Sequence, residues 1–294
     1  MRLRLGSSVL LALAAIASGS RADDRMIYGV DDRREVDDPE NDRRMVTAAR
    51  ATGVILPRTD VRGRSPGVRQ LTRTSLREKY NLCASEPFGD QPAPGLCSAF
   101  LVAPDLMVTA AHCVLSATAC ANVAVVFDFT ASAEREDRPD LVKSDDVYLC
   151  RSLVTHVLDR ETGLDFALIR LDRPAYGRPS LDYRKDGWVD YGDKLTVVGH
   201  PAGLPLKITP GGTVRDNERA IYFVSDLDTF VGSSGAPVLN DETGLVEGFV
   251  ARGDRDWTAT TDGCRIYHRC GQDECRGEDI IRMSAVLEYL PRRF

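Results

Sequence analysis

Beyond its N-terminus the 294-residue sequence has no apolar run long enough to cross a bilayer, no basic surplus, and only four histidines. The first absence excludes a membrane anchor in the body of the chain. A formal net charge of -6, with no cluster of Lys and Arg interleaved with aromatics, argues against nucleic acid as a partner. The scarcity of histidine narrows any search for a general base to His112, His156, His200 and His268.

What is present suits an exported globular protein. At 43% hydrophobic content the chain can bury a substantial core. Met1-Arg2-Leu3-Arg4 followed by the apolar run Val9 to Ala17 has the form of a signal peptide over residues 1–22, too short to span a bilayer. Small residues at Ser20 and Ala22 place cleavage after Ala22, with Ser18 or Ser20 as alternatives. Eight cysteines in an exported chain imply up to four disulfides. His268, Cys270, Cys275 and Cys264 also admit a zinc reading, but their spacing matches no common ligand pattern, so no metal and no cofactor is expected. The expected locale is secreted or periplasmic, with no membrane anchor once the signal is removed, and the expected state is a monomer.

Residues 23–50 mix acidic and basic side chains with few apolar ones and read as a propeptide, a solvated arm or a strap lying on the domain. Thr52 to Leu56 is the first strand candidate. Residues 57–94, rich in Arg, Gly, Pro and Ser, read as a long insertion holding a short helix near Leu76 to Tyr80. From Cys97 onward, short β-branched runs broken by turn residues indicate an all-β sandwich or barrel. One series runs from Cys97 to Leu171 and a second from Lys194 to Ser284. The Pro-, Gly- and charge-rich stretch between them separates a first β-domain (51–175) from a second (176–294).

Three segments carry candidate chemistry. Gly232-Ser233-Ser234-Gly235-Ala236-Pro237 supplies the tight glycine turn that a serine nucleophile needs, although Gly/Ser/Pro clusters are also ordinary loops. Leu106-Met107-Val108-Thr109-Ala110-Ala111-His112-Cys113 runs an apolar strand into small residues and then a histidine, which makes His112 the candidate base. Leu164-Asp165-Phe166-Ala167-Leu168 places a single acid at the head of an apolar run, where an unpaired buried charge is costly. Taken alone, Asp165 is equally a strand-starting turn residue.

The order His, Asp, Ser and these motifs together resemble the trypsin-like (chymotrypsin-fold) serine endopeptidases, in style nearest the bacterial secreted members, including the glutamate-specific V8-type group. The resemblance implies two antiparallel six-stranded β-barrels with the active site in the cleft between them. It further implies His112 as base, Asp165 as its orienting carboxylate, Ser234 as nucleophile, and the amides of Gly232 and Ser234 as oxyanion hole. A Cys97–Cys113 bridge and protein or peptide substrates follow from it as well. For the remaining cysteines, Cys120 with Cys150 is the first pairing to expect, leaving Cys83 among Cys264, Cys270 and Cys275.

Specificity by the same resemblance falls to Asp228, Thr229, Val250, Ala251, Arg252 and Gly253. Asp228 stands where trypsin-like members floor the primary pocket and would pair with Arg or Lys before the cleaved bond; a structural turn role is the competing reading. Val250 stands where glutamate-specific relatives carry a histidine. Ser233 replaces the aspartate that animal members pair with a newly cut amino terminus, so that activation switch is not expected. The alternatives are a glutamyl endopeptidase, a catalytically silent double-barrel binding protein, and a disulfide-rich adhesion or inhibitor domain.

Overall fold

Each of the β-branched runs becomes an antiparallel strand, and the strands close into two six-stranded barrels in a computed structural model that describes residues 27–131, 138–271 and 274–290. The signal-peptide reading of residues 1–22, with its cut after Ala22, lies outside the described residues. Around the first barrel the order is Val147–Leu158, Asp165–Leu171, Leu106–Thr109, Cys97–Ala103, Thr52–Pro57 and Val123–Val126, which pairs back with Val147–Leu158. Residues such as Ile55, Leu101, Val125 and Ile169 are fully buried, each contributing about 1.5–3 kcal/mol by leaving water.

The second barrel runs Lys194–Gly199, Pro237–Asn240, Val246–Arg252, Glu278–Arg282, Tyr222–Ser225 and Lys207–Asp216. It closes because Lys194–Gly199 pairs on its other edge with Lys207–Asp216. Among the described residues no helix is long and apolar enough to cross a membrane.

The charged N-terminal stretch is ordered against this frame from Ile27 onward. Ile27–Tyr28 pairs in parallel with Arg269–Cys270, and Arg34–Glu35 adds to the edge of Lys207–Asp216. A helix then spans Arg43–Ala51, started by Asp42, whose side chain accepts from the Arg44 amide. It buries Met45, Ala48, Ala49 and Ala51, a narrow stripe of small residues at helical spacing.

The insertion after Thr52–Pro57 is also built. Val61–Ser65 and Val68–Leu71 form a hairpin that pairs onward with Leu141–Lys143. The short helix Leu76–Tyr80 is held by a capping box between Ser75 and Glu78. Four disulfides stitch the molecule: Cys97–Cys113 and Cys120–Cys150 within the first barrel, Cys270–Cys275 in the second, and Cys83–Cys264 joining the insertion to the second. The grouped cysteines near His112 and His268 are thus committed to disulfides rather than to a metal.

Candidate active site

Ala110 and Ala111 are fully buried, and their small side chains let the turn Ala111–Cys113 sit close on the barrel beneath the imidazole. The strand paired with Leu106–Thr109 begins at Asp165, whose Oδ2 lies 2.7 Å from His112 Nδ1 while its Oδ1 accepts the His112 amide at 3.1 Å. Burial alone would raise the Asp165 carboxyl, but the hydrogen bonds and charge of His112 overcome this and hold it below its ordinary value. A carboxylate only accepts, so the proton of the imidazole sits on Nδ1 and leaves Nε2 bare on the exposed side.

Ser234 sits on the turn before Pro237–Asn240, half-buried. The first barrel holds that turn in place: the Ser98 amide donates to the Ser234 carbonyl at 2.8 Å, and Ser98 Oγ donates to the Gly232 carbonyl at 2.9 Å. Ser98 Oγ in turn accepts the His200 amide at 3.0 Å, so one hydroxyl ties both barrels to the serine loop. Cys113 Sγ, next to His112 in sequence, lies 3.8 Å from the Ser234 carbonyl oxygen.

Only glycine fits at position 232. Its φ is +95°, and a Cβ there would stand 2.6 Å from the His200 carbonyl oxygen. The Ala202 amide donates to the Val231 carbonyl, which turns the N–H of Gly232 to the opposite side of that peptide. The amides of Gly232 and Ser234 have no acceptor among the described residues. Ser233 is buried, and its hydroxyl accepts the Phe230 amide at 3.3 Å, a local brace within the loop.

Two cavities flank this constellation. One of about 700 Å³ is lined by His112, Asp165 and Tyr222, and one of about 160 Å³ by Ser234, Thr229, Val250 and Glu278. Both include Ala251, Arg252 and Gly253, so this stretch forms their shared wall. The guanidinium of Arg252 is engaged by Asp279 at 3.1 Å and by the Gly163 carbonyl at 3.0 Å.

Asp228 is placed differently from the expectation. It does not line the smaller cavity; its Oδ1 accepts the Tyr28 amide at 2.8 Å and its Oδ2 the Asp32 amide at 3.3 Å. The N-terminal segment therefore occupies the carboxylate that was expected to floor the pocket. Burial pushes this group up to about 7 despite the two amides.

The acids beside Ser234 are instead Glu278, Asp256 and Asp254. The sequence did offer a signal for Glu278, because Gly277-Glu278-Asp279-Ile280-Ile281 places acids at the head of an apolar strand just as Leu164-Asp165-Phe166 does. Ser98 had no such signal, since its role depends on a partner 134 positions away.

Residues 97–248 match the trypsin-like peptidase domain, more than half of the chain. Solved structures give the same fold at low identity. Human heparin binding protein aligns at 14% identity and TM-score 0.54, covering 90% of this chain and 94% of that one. A Glu endopeptidase aligns at 14% and TM-score 0.51, covering 90% and 96%. The serine endoprotease from Yersinia pestis aligns at 15% and TM-score 0.51, covering 85% and 65%. No curated protein matches the chain. Fold and domain together define a chymotrypsin-type double-barrel protein. The chain belongs to the trypsin-like peptidase family.

Proposed function

We propose that the protein is an exported serine endopeptidase that hydrolyses peptide bonds through His112, Asp165 and Ser234. The observation that carries this reading is the double contact of Asp165 with the ring and amide of His112, in a cavity that shares the wall Ala251 to Gly253 with the one lined by Ser234. Ser234 Oγ attacks the scissile carbonyl carbon while its proton passes to Nε2 of His112. Asp165 holds the Nδ1 proton and stabilises the imidazolium that results. The carbonyl oxygen, now an oxyanion, takes the free amides of Gly232 and Ser234, where one donor is typically worth about 100- to 1000-fold in rate.

His112 then returns the proton to the departing amine, leaving an acyl-enzyme on Ser234. Water repeats the sequence with His112 again as base, releasing the acid and restoring the hydroxyl. No cofactor enters these steps. Four disulfides fit an oxidising compartment, in keeping with export by the N-terminal signal.

The preferred residue before the cleaved bond is Arg or Lys, but not through Asp228, which Tyr28 and Asp32 occupy. A glutamate preference is disfavoured because the cavity beside Ser234 is lined by Glu278, Asp256 and Asp254, which would repel a second carboxylate. Treatment of the purified protein with a fluorescent peptidyl or aryl phosphonate tests the reading. Labelling at Ser234 that disappears in Ser234→Ala supports it, and an unlabelled wild-type protein refutes it.

A further inference from the structure

Glu278 leads the strand Glu278–Arg282 and is 1% exposed, yet it lines the cavity beside Ser234. Its Oε2 accepts the Thr229 hydroxyl, while Oε1 has no hydrogen-bond partner among the described residues. A buried carboxyl with an idle oxygen is costly to the fold and is retained where something else completes it. Burial accordingly pushes Glu278 well above the ordinary carboxyl range.

The surroundings indicate what that completing group is. Asp256 and Asp254 line the same cavity, and the one base there, Arg252, is engaged by Asp279 and the Gly163 carbonyl. Arg276 also pairs with Asp279, at 2.5 Å, and among the described residues no cation is in direct contact with the Glu278 carboxyl. The backbone of Gly253 lies directly against the carboxyl, since a Cβ there would stand 2.0 Å from Oε2 and 2.6 Å from Oε1 of Glu278. The site thus holds excess acid, an unfilled acceptor, and room beside the serine for one side chain.

We infer that Glu278 is the specificity-determining residue of the enzyme, receiving the Lys or Arg side chain that precedes the cleaved bond. This rests on the proposed peptidase reading and replaces Asp228 as the acid that reads the substrate. A cation entering the cavity approaches the Glu278 carboxyl in its lining and draws it into its charged form, with Asp256 and Asp254 adding attraction at longer range. The Thr229 hydroxyl holds the carboxyl in place through Oε2.

The test compares kcat/KM on peptide substrates that differ only before the cleaved bond, carrying Lys, Arg, Gln, Glu, Leu or Ala, for wild type and Glu278→Gln. The wild type is expected to favour Lys and Arg over Gln, and Glu278→Gln to lower the Lys-to-Gln ratio by about 30-fold or more, the usual cost of unpairing a buried charge. Wild-type protein that labels with the phosphonate but prefers Gln, Glu, Leu or Ala overturns the inference while leaving the peptidase reading intact. An unchanged Lys-to-Gln ratio in Glu278→Gln overturns it as well. Protein that does not label at all removes both. The wild-type profile requires no variant to fold, so the inference stays exposed to refutation if Glu278→Gln does not.

Discussion

The amide of Tyr28 donates to Oδ1 of Asp228 at 2.8 Å, joining residues 200 positions apart and fastening the N-terminal segment to the loop that bears Ser234. A second amide, from Asp32, takes the other oxygen. The segment runs on through Arg33, whose fully buried guanidinium pairs with Asp31 at 2.6 Å and lies over the rings of Phe88, Phe230 and Tyr267. Phe230 also lines the cavity beside Ser234, so the strap supports the site from below.

Replacing Asp228 with Ala leaves one buried and one part-buried amide without an acceptor. Urea denaturation should show a loss of about 2–4 kcal/mol, since each orphaned donor costs roughly 1–3 kcal/mol. The preference for the residue before the cleaved bond should stay as in wild type. A preference that moves away from Lys and Arg in Asp228→Ala would return the specificity role to Asp228.

Arg33→Ala breaks a buried pair and empties an aromatic cage, and a destabilisation of about 3–5 kcal/mol is expected in the same assay. Arg44 pairs with Asp42 on the surface and donates to the Asp241 and Glu242 carbonyls, so Arg44→Ala should cost far less than Arg33→Ala. Equal effects from the two substitutions would contradict the buried strap. If the proposed export holds, the processed protein should retain residues 27–36, which N-terminal sequencing reads directly.

Asp165→Asn should cost about 10⁴-fold in kcat with the fold unchanged, because the amide no longer fixes the imidazole proton on Nδ1. Turnover and circular dichroism check this together. Activity within tenfold of wild type would exclude Asp165 as the orienting group.

Removing the Cys97–Cys113 bridge by paired substitution to Ser should lower stability by about 3 kcal/mol, the chain-entropy expectation for a loop of this size. Turnover should fall as well, since the bridge pins the turn that carries His112. Peptide mapping of unreduced wild-type protein checks the pairing itself.

His200 supplies a pH dependence that is separate from catalysis. Its ring is buried and stacks on Phe129, with Nδ1 donating to the Leu204 carbonyl at 3.0 Å. Burial, with the nearby Lys207 charge, pushes it down from 6.5 to about 3. The unfolded chain therefore takes up a proton below about pH 6.5 that the folded chain refuses until about pH 3, so stability is lost as pH falls through this window. His200→Gln should flatten the acid side of the Tm-versus-pH curve. Parallel curves for variant and wild type would refute the assignment.

The barrel strands were legible because their apolar runs report burial through local spacing alone. Cys97–Ala103 and Lys194–Gly199 appear at the limits their composition suggests. The helix Arg43–Ala51 was not, since its buried stripe is mostly alanine among arginines and carries little hydrophobic signal. The order of the charged strap was hidden for a different reason: Arg33 is stabilised by rings at positions 88, 230 and 267, and nothing in its own neighbourhood announces them. His112, Asp165 and Ser234 were legible as motifs. The direction in which Asp228 points was not, because it depends on backbone amides that any residue type supplies.

The Cys83–Cys264 bridge bears on how such a molecule withstands its own kind. Exposed loops at Arg160 to Thr162 and at Lys185 to Gly187 lie between the two bridged cysteines, and each carries a basic residue of the sort the proposed cavity receives. A self-inflicted nick at either place leaves both fragments tethered on one covalent body. The broken ends then remain at high effective concentration for one another, and re-docking is intramolecular. In a crowd of identical enzymes, such a cut scars the molecule without dividing it.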